Sequence, residues 1–200
     1  MKFLAIDTSA KKLAIAVQGA NGASAYEIDC AMQHSVRLMG EIDSALKKAA
    51  LSLKDCNFFA CVVGPGSFTG IRIGISTVKG LAFALEKPVL AITSFEAIAY
   101  AEEEENKIAL VDAGHGHVYA EGFGAAHLPR GYYPHEEVLA CAEQSNAILL
   151  ASEEVAGIKV KCVRVAEGLL RAVRAKKGDT MSASELAAMY LRKSSAEEGR

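Results

Sequence analysis

Residues 61–99 read CVVGPGSFTGIRIGISTVKGLAFALEKPVLAITSFEAIA, and the folding of the rest of the chain turns on this stretch. Phe58 to Val63 is an apolar run rich in aromatic and β-branched residues, the pattern of a strand covered on both faces. Gly64, Pro65 and Gly66 stop it, and Ser67 or Thr69 is placed to cap the next helix by accepting from its free amides. That helix carries Gly70, Gly74 and Gly80, each costing about 1 kcal/mol relative to alanine. Gly70 and Gly74 lie four apart and Thr77 follows three later, so one face carries almost no side chain and admits another backbone. Ile71, Ile75, Val78, Ala82 and Leu85 form a second stripe, which must face the domain body. Such a helix has two packing partners. The second is either a tight contact inside the same chain or another protein chain.

Downstream of the long helix a second strand follows, and Thr93 with Glu96 forms a capping box for a helix ending near the acidic run Glu102 to Glu105. Upstream, Phe3 to Ile6, Leu13 to Val17 and Ala23 to Ile28 form an antiparallel meander through the turns Asp7-Thr8-Ser9-Ala10 and Gly19-Ala20-Asn21-Gly22. Leu38, Ile42, Ala45, Leu46 and Ala49 fall at helical spacing from about Ser35 to Ala50, with Val36, Met39 and Asp43 on a second, partly apolar side. The pattern then begins again: AIDTSAKKLAIAV near the start and LVDAGHGHVYAEGF from Leu110 share a strand, an aspartate, a turn of small residues and a second strand. Two related halves follow from this likeness, residues 1–105 and a smaller 106–200. In the second half, Ala147 to Leu150 and Lys159 to Val163 read as strands, Ala166 to Ala175 as a helix, and Ser182 to Ala196 as a last helix, able to pack back on the first half.

A formal net charge of −2 over 200 residues argues against a domain that grips nucleic acid by itself. The five cysteines, Cys30, Cys56, Cys61, Cys141 and Cys162, have no metal spacing and point to reduced, buried thiols in a cytoplasmic protein. Asp7 interrupts the apolar start too early for a signal peptide, and no run is expected to span a bilayer, since Arg72 and Lys79 break the most apolar helix.

A strand-Asp-turn-strand hairpin can offer backbone amides and a carboxylate to a phosphate and its magnesium ion. Asp7, Thr8 and Ser9 have this form, as do Asp112, Ala113 and Gly114. Two such hairpins facing each other across a cleft are how the actin, sugar kinase and Hsp70 (ASKHA) fold group holds ATP. The expected class is therefore an α/β ASKHA-like fold of two related halves, each with a mixed sheet and flanking helices. GPGSFTG lacks the lysine of a Walker loop. Arg72, in the first helical turn where a cation opposes the dipole, is either paired locally or aimed at an anion or a partner's carboxylate. His115 and His117 share a strand face but lack a third metal ligand; His34 reads as a helix-start residue, and His127 and His135 lie in loop-like sequence.

GPGSFTGIRIGISTVKGLAFALEKPVLAITSFEAIA resembles the signature segment of the bacterial TsaB (YeaZ) family, the smaller paralogue of TsaD in the glycoprotease-like branch of the actin-type fold. AIDTSAKKLAIAV, QHSVRLMGEIDSAL from Gln33, VDAGHGHVYAEGF from Val111 and MYLRK near the end resemble it in the same order. The resemblance implies a non-catalytic scaffold in the making of threonylcarbamoyladenosine beside the tRNA anticodon. Its partners would be a TsaD-type catalytic subunit and a TsaE-type ATPase, with a homodimer when alone and tRNA met only indirectly. TsaD carries His-x-x-x-His as metal ligands after the strand that follows the long helix; the corresponding positions here are Ser94 and Ile98, so no catalytic residue and no metal site is expected. The resemblance places the partner surface on the two long helices, at Leu38, Met39, Ile42, Gly70, Arg72, Ile73, Gly74 and Thr77. No cofactor is required by this chain, with ATP or ADP at a subunit joint left open. The alternative is an enzyme: an ATP-binding phosphotransferase resting on Asp7 and Asp112, or a glycoprotease-like metalloprotease.

Overall fold

The computed structural model describes residues 1–30 and 33–191. The chain opens with the expected meander: β1 (Phe3–Asp7), β2 (Lys12–Gln18) and β3 (Ala23–Asp29) pair antiparallel in sequence. After α1 (His34–Lys48) and a 3-10 turn at Leu53–Asp55, β4 (Phe58–Val62) joins β1 in parallel. The crossover helix α2 (Phe68–Leu85) then leads to β5 (Val89–Ile92), parallel to β4, and α3 (Ser94–Ala99) follows. Parallel neighbours need a crossover that packs back on the sheet, and the glycine-bearing helix is that crossover.

The second half repeats the plan. β6 (Lys107–Gly114), β7 (His117–Phe123) and β8 (Gly131–Pro134) form a meander. α4 (His135–Ser145) leads to β9 (Ile148–Ala151), parallel to β6, then β10 (Lys161–Cys162), parallel to β9, and α5 (Val165–Ala175). The two sheets have the orders β3-β2-β1-β4-β5 and β10-β9-β6-β7-β8. Read from the meander end, they are the same sheet twice. This duplication, with helices on the sheet faces, is the expected ASKHA-like architecture.

Alternation along β1 sorts the core into layers. Leu4 and Ile6 face a cluster with Leu38 and Ile42 of α1 and Ile71, Ile75, Val78 and Ala82 of α2. Phe3 and Ala5 face a second cluster with Phe95 and Ile98 of α3 and Leu169 and Val173 of α5, which extends to Ala109 and Leu150 of the second sheet. A third cluster, with Ile108, Leu110 and Val118, buries Val138 and Ala142 of α4. The layers therefore run α1/α2, first sheet, α3/α5, second sheet, α4. Helix α5, from the second half, packs on the first sheet, while α3, from the first half, packs on the second.

Several expectations are corrected. The strand expected over Lys159 to Val163 shrinks to two residues at the sheet edge, and β8 and α4 arise where none was expected. Residues 182–191 form no helix; they run as a strap against the first half, with Met181 bridging Val89 and the Met189 amide donating to the Val63 carbonyl at 2.8 Å. Ser182 and Glu185 still bond as a capping pair, but the turn they start is not continued. The end of the expected helix, to Ala196, and part of MYLRK lie outside the described residues. Helix α2, with 18 residues and a mean hydropathy of 1.3, is long and apolar enough to cross a membrane, contrary to expectation. Its position between two adjacent parallel strands, with Ile71, Val78 and Ala82 in the core, makes it the covering helix of a sheet. Cys30, Cys56 and Cys61 are buried, but Cys141 is half-buried and Cys162 is exposed on β10. Burial pushes the Cys56 thiol up to about 11 and raises the Cys61 thiol as well.

Candidate functional site

A cleft of about 260 Å³ opens between the halves, where the C-terminal ends of β1 and β6 meet the loop before α2 and the start of α3. Asp7, Ser9 and Asp112 line it together, so the topology brings the two hairpin aspartates to one place. Thr8 and Gly114 do not line it. The Thr8 hydroxyl turns into the protein and donates to the Gly70 carbonyl at 2.7 Å.

One amide of each hairpin turn is already engaged. The Ser9 amide and hydroxyl both donate to Asp7 Oδ1, at 2.7 and 2.6 Å, and the Gly114 amide donates to Asp112 Oδ1 at 2.8 Å. Each aspartate closes its own turn, a local habit of this residue type. Asp7 is buried, and desolvation raises its pKa above 3.8 against the opposing Ser9 hydrogen bonds. The cleft is also acidic, with Asp7, Asp112, Glu153 and Glu154 on its wall. Its lysine, Lys11, is committed to Glu153, through its amide at 2.8 Å and its ammonium at 3.0 Å. Charge of this sign disfavours a phosphate unless a cation accompanies it.

Ser94 and Ile98, one helical turn apart on α3, both line the cleft. The Thr93 hydroxyl accepts from the Glu96 amide at 3.0 Å and Glu96 accepts from the Thr93 amide at 2.7 Å, which fixes the first turn of α3. The Ser94 hydroxyl donates to the Pro65 carbonyl at 2.6 Å and lies 3.3 Å from the Ser9 hydroxyl. A hydroxyl tied to the backbone and a branched alkyl group thus occupy the two positions that the resemblance set against a pair of metal ligands. Among the described residues, no group of three or more His, Cys, Asp or Glu side chains is placed to hold a metal ion. His117 instead stacks on Tyr132 with centroids 4.7 Å apart, and its Nδ1 is 3.0 Å from the His115 carbonyl. His34 is the first residue of α1 and is buried, with no hydrogen-bond partner for Nε2 among the described residues.

The second candidate surface is the outer face of α1 and α2, and here four expected contact residues are corrected. Gly70 and Gly74 are buried: a Cβ on Gly70 would overlap the Thr8 carbonyl oxygen, and one on Gly74 would lie 2.6 Å from Thr8 Oγ1. The bare stripe receives the chain's own β1 turn. Leu38 and Ile42 are core residues, 1% and 2% exposed. Met39 and Arg72 are exposed, and Ile73 and Thr77 half-buried. Beside them stand Val36, at 74% exposure and already placed by helical spacing on the second, partly apolar side of α1, and Phe83, at 68%, which the sequence pattern did not single out. Gly80 is also exposed, with nothing near its missing Cβ. The solvent-facing stripe of α2 is Phe68, Arg72, Ser76, Gly80 and Phe83, and that of α1 includes Val36, Met39 and Gly40. Helical spacing marked the glycine stripe and the Ile71, Ile75, Val78, Ala82 and Leu85 stripe of α2; the outward-facing stripe is a third one, which the structure reveals.

Comparison with known proteins agrees with this architecture. The family model for TsaD, tRNA N6-adenosine threonylcarbamoyltransferase, matches residues 28–127. The tRNA threonylcarbamoyladenosine biosynthesis protein TsaB of Escherichia coli K12 is 33% identical over 123 residues, 60% of this chain and 53% of that protein. The Bacillus subtilis protein of the same name is 38% identical over 100 residues, 50% and 44% of the two chains. The chain spans about half the length of the curated relatives it matches. Two solved structures match nearly end to end. One is an uncharacterized Pseudomonas aeruginosa protein with similarity to peptidase YEAZ, with TM-score 0.82 and 26% identity over 96% of this chain and 99% of the other. The other is YeaZ from Pseudomonas aeruginosa, with TM-score 0.79 and 25% identity over 95% and 100%. With a duplicated sheet, a cleft at the expected junction and a family model matching half its length, the chain belongs to the TsaB (YeaZ) family.

Proposed function

We propose that this chain is a non-catalytic scaffold subunit of the assembly that adds threonylcarbamoyl to the adenosine beside the tRNA anticodon. Its task is to hold and activate a TsaD-type catalytic subunit. The observation that carries this reading is the pair Ser94 and Ile98 on the cleft wall, at the positions the resemblance assigns to metal ligands. Serine bonded to the Pro65 carbonyl and isoleucine supply no ligand pair, so the chemistry falls to the partner. The exposed apolar stripes of α1 and α2 support a docking role, because large exposed apolar groups on adjacent helices favour contact with another chain. A second copy would cover the same stripes when the catalytic subunit is absent. The TsaE-type ATPase and tRNA enter through the assembly, which works in the cytoplasm.

The alternative is an ATP-dependent phosphotransferase, and it is favoured by one observation: Asp7 and Asp112 do meet across the cleft. Against it stand the acidic wall and the hairpin amides bonded to their own aspartates. Any ATP or ADP is better placed at a joint between subunits than in this chain alone.

Reconstitution tests the reading. Purified TsaD-type and TsaE-type subunits, a threonylcarbamoyl-AMP synthase and substrate tRNA should modify the tRNA only when this chain is added. The isolated chain, titrated with Mg-ATP in a calorimeter, should show no micromolar binding. Undiminished modification without the chain refutes the scaffold reading, and micromolar Mg-ATP binding favours the enzyme.

A further inference from the structure

At the N-terminal end of the exposed α2 stripe, a cation is held in a frame of two aromatic rings. The Arg72 guanidinium carbon lies 3.7 Å from the Phe68 ring centroid, and Arg72 Nε donates to the Tyr190 hydroxyl at 3.1 Å. The Phe68 and Tyr190 rings are themselves 5.1 Å apart, and both stay open to solvent at 39% and 45% exposure. Phe68 is one helical turn before Arg72, whereas Tyr190 arrives from the far end of the described chain. The strap delivers it: Leu186 is buried in the α1/α2 core, the Met189 amide is bonded to Val63, and Met189 Sδ accepts from Arg130 of the second half at 3.3 Å. Three separate attachments thus hold one tyrosine beside one arginine.

The frame leaves the guanidinium a particular capacity. One face is on Phe68 and Nε is occupied, which leaves the edge bearing the two Nη atoms, a fork that matches a carboxylate with two parallel hydrogen bonds. Among the described residues, no carboxylate forms an ion pair with Arg72. The position is also unfavourable for a cation, because it lies in the first turns of α2, where the helix dipole is positive. An arginine oriented by two partners, placed against the dipole and without an anion among the described residues suits a counter-charge from outside.

We propose that Phe68, Arg72 and Tyr190 form a preorganised receptor for an aspartate or glutamate side chain of the protein that docks on α1 and α2. This deepens the scaffold reading and rests on it. A protein carboxylate suits the site better than an RNA phosphate for two reasons. The surroundings are apolar, with Phe68, Tyr190 and the half-buried Ile73 on the same end of the helix. The chain as a whole is acidic, with net charge −2, and repels a polyanion. Arginine set among aromatic groups is also the composition of energetic centres in protein interfaces.

The test uses the full chain and a purified TsaD-type subunit, with affinity measured by calorimetry and thermal melting as the folding control. Arg72→Ala should weaken binding about tenfold or more with an unchanged melting temperature. Arg72→Lys should remain at least about threefold weaker than wild type, because a point charge cannot fork. Tyr190→Phe, which keeps the ring and removes the Nε acceptor, should weaken binding about threefold. Arg72→Ala binding within twofold of wild type overturns the proposal while leaving the scaffold reading in place. A loss of tRNA binding without loss of subunit binding overturns it in favour of a phosphate. Failure of the wild-type chain to bind the subunit overturns both.

Discussion

Asp7 shows how a residue chosen from sequence for one task is used by the fold for another. Its carboxylate closes its own turn through Ser9 and is otherwise desolvated, so its folded pKa is raised above 3.8. The folded state therefore binds this proton more tightly than the unfolded chain does. The resulting stability is complete below about pH 4 and is lost as pH rises through the folded pKa. Asp7→Asn keeps an oxygen for both Ser9 donors and removes the charge, so it should melt higher than wild type at pH 7. The difference should vanish near pH 4, and paired thermal melts at the two pH values decide it. The glycines of α2 make the same point about packing. Gly74→Ala presses against Thr8 Oγ1 and should destabilise by about 1–3 kcal/mol in urea unfolding. Gly80→Ala meets open space and should stabilise by about 1 kcal/mol through helix propensity. Gly80→Glu, on the exposed stripe, should keep the fold and lose subunit binding, whereas a charge at Gly74 would test only folding.

At the scale of elements, the first half was legible because its signals are local. The Ser67 cap, the Thr93–Glu96 box and the turns that join β1, β2 and β3 each lie within a few residues, and each appears in the structure as expected. Helix α4 was missed although Val138 and Ala142 lie one turn apart and Glu136 and Glu137 follow Pro134, an acidic first turn after a stop. The strap at 181–191 was misread for a physical reason. Ser182 and Glu185 bond as a helix start would, but the Met181 pairing with β5 and the Met189 bond to Val63 compete for the same backbone and win. Leu186, 1% exposed, is the strap's anchor in the core. Leu186→Ala should therefore cost about 2–5 kcal/mol in chemical denaturation, a value outside the reach of a surface tail.

At the scale of the molecule, the halves are joined by exchange of helices rather than by a hinge alone. Helix α5 covers the first sheet and α3 the second, and they meet where a Cβ on Gly168 would overlap the Ala97 carbonyl oxygen. Gly168→Ala should force the two helices apart and destabilise the whole chain by about 3 kcal/mol or more, read as a lower midpoint in urea. On the cleft side, Lys11 and Glu153 bridge the halves, and the strap bridges them again through Met189 and Arg130. On the cleft wall the Lys11–Glu153 pair spans the halves, whereas Asp7, Asp112 and Ser94 bond within their own.

The amino-acid pattern by itself determined the duplication and the crossover helix, and the resemblance it carries drew attention to Ser94 and Ile98. These are matters of spacing and of side-chain chemistry, which a linear reading contains. Only the tertiary structure decided that the glycine stripe faces Thr8, that Leu38 and Ile42 are core, and that Tyr190 stands beside Arg72. A helix has a full circle of faces, and periodicity divides that circle into stripes without saying which partner each stripe meets. The choice between the chain's own turn and another molecule is made by contacts between residues distant in sequence.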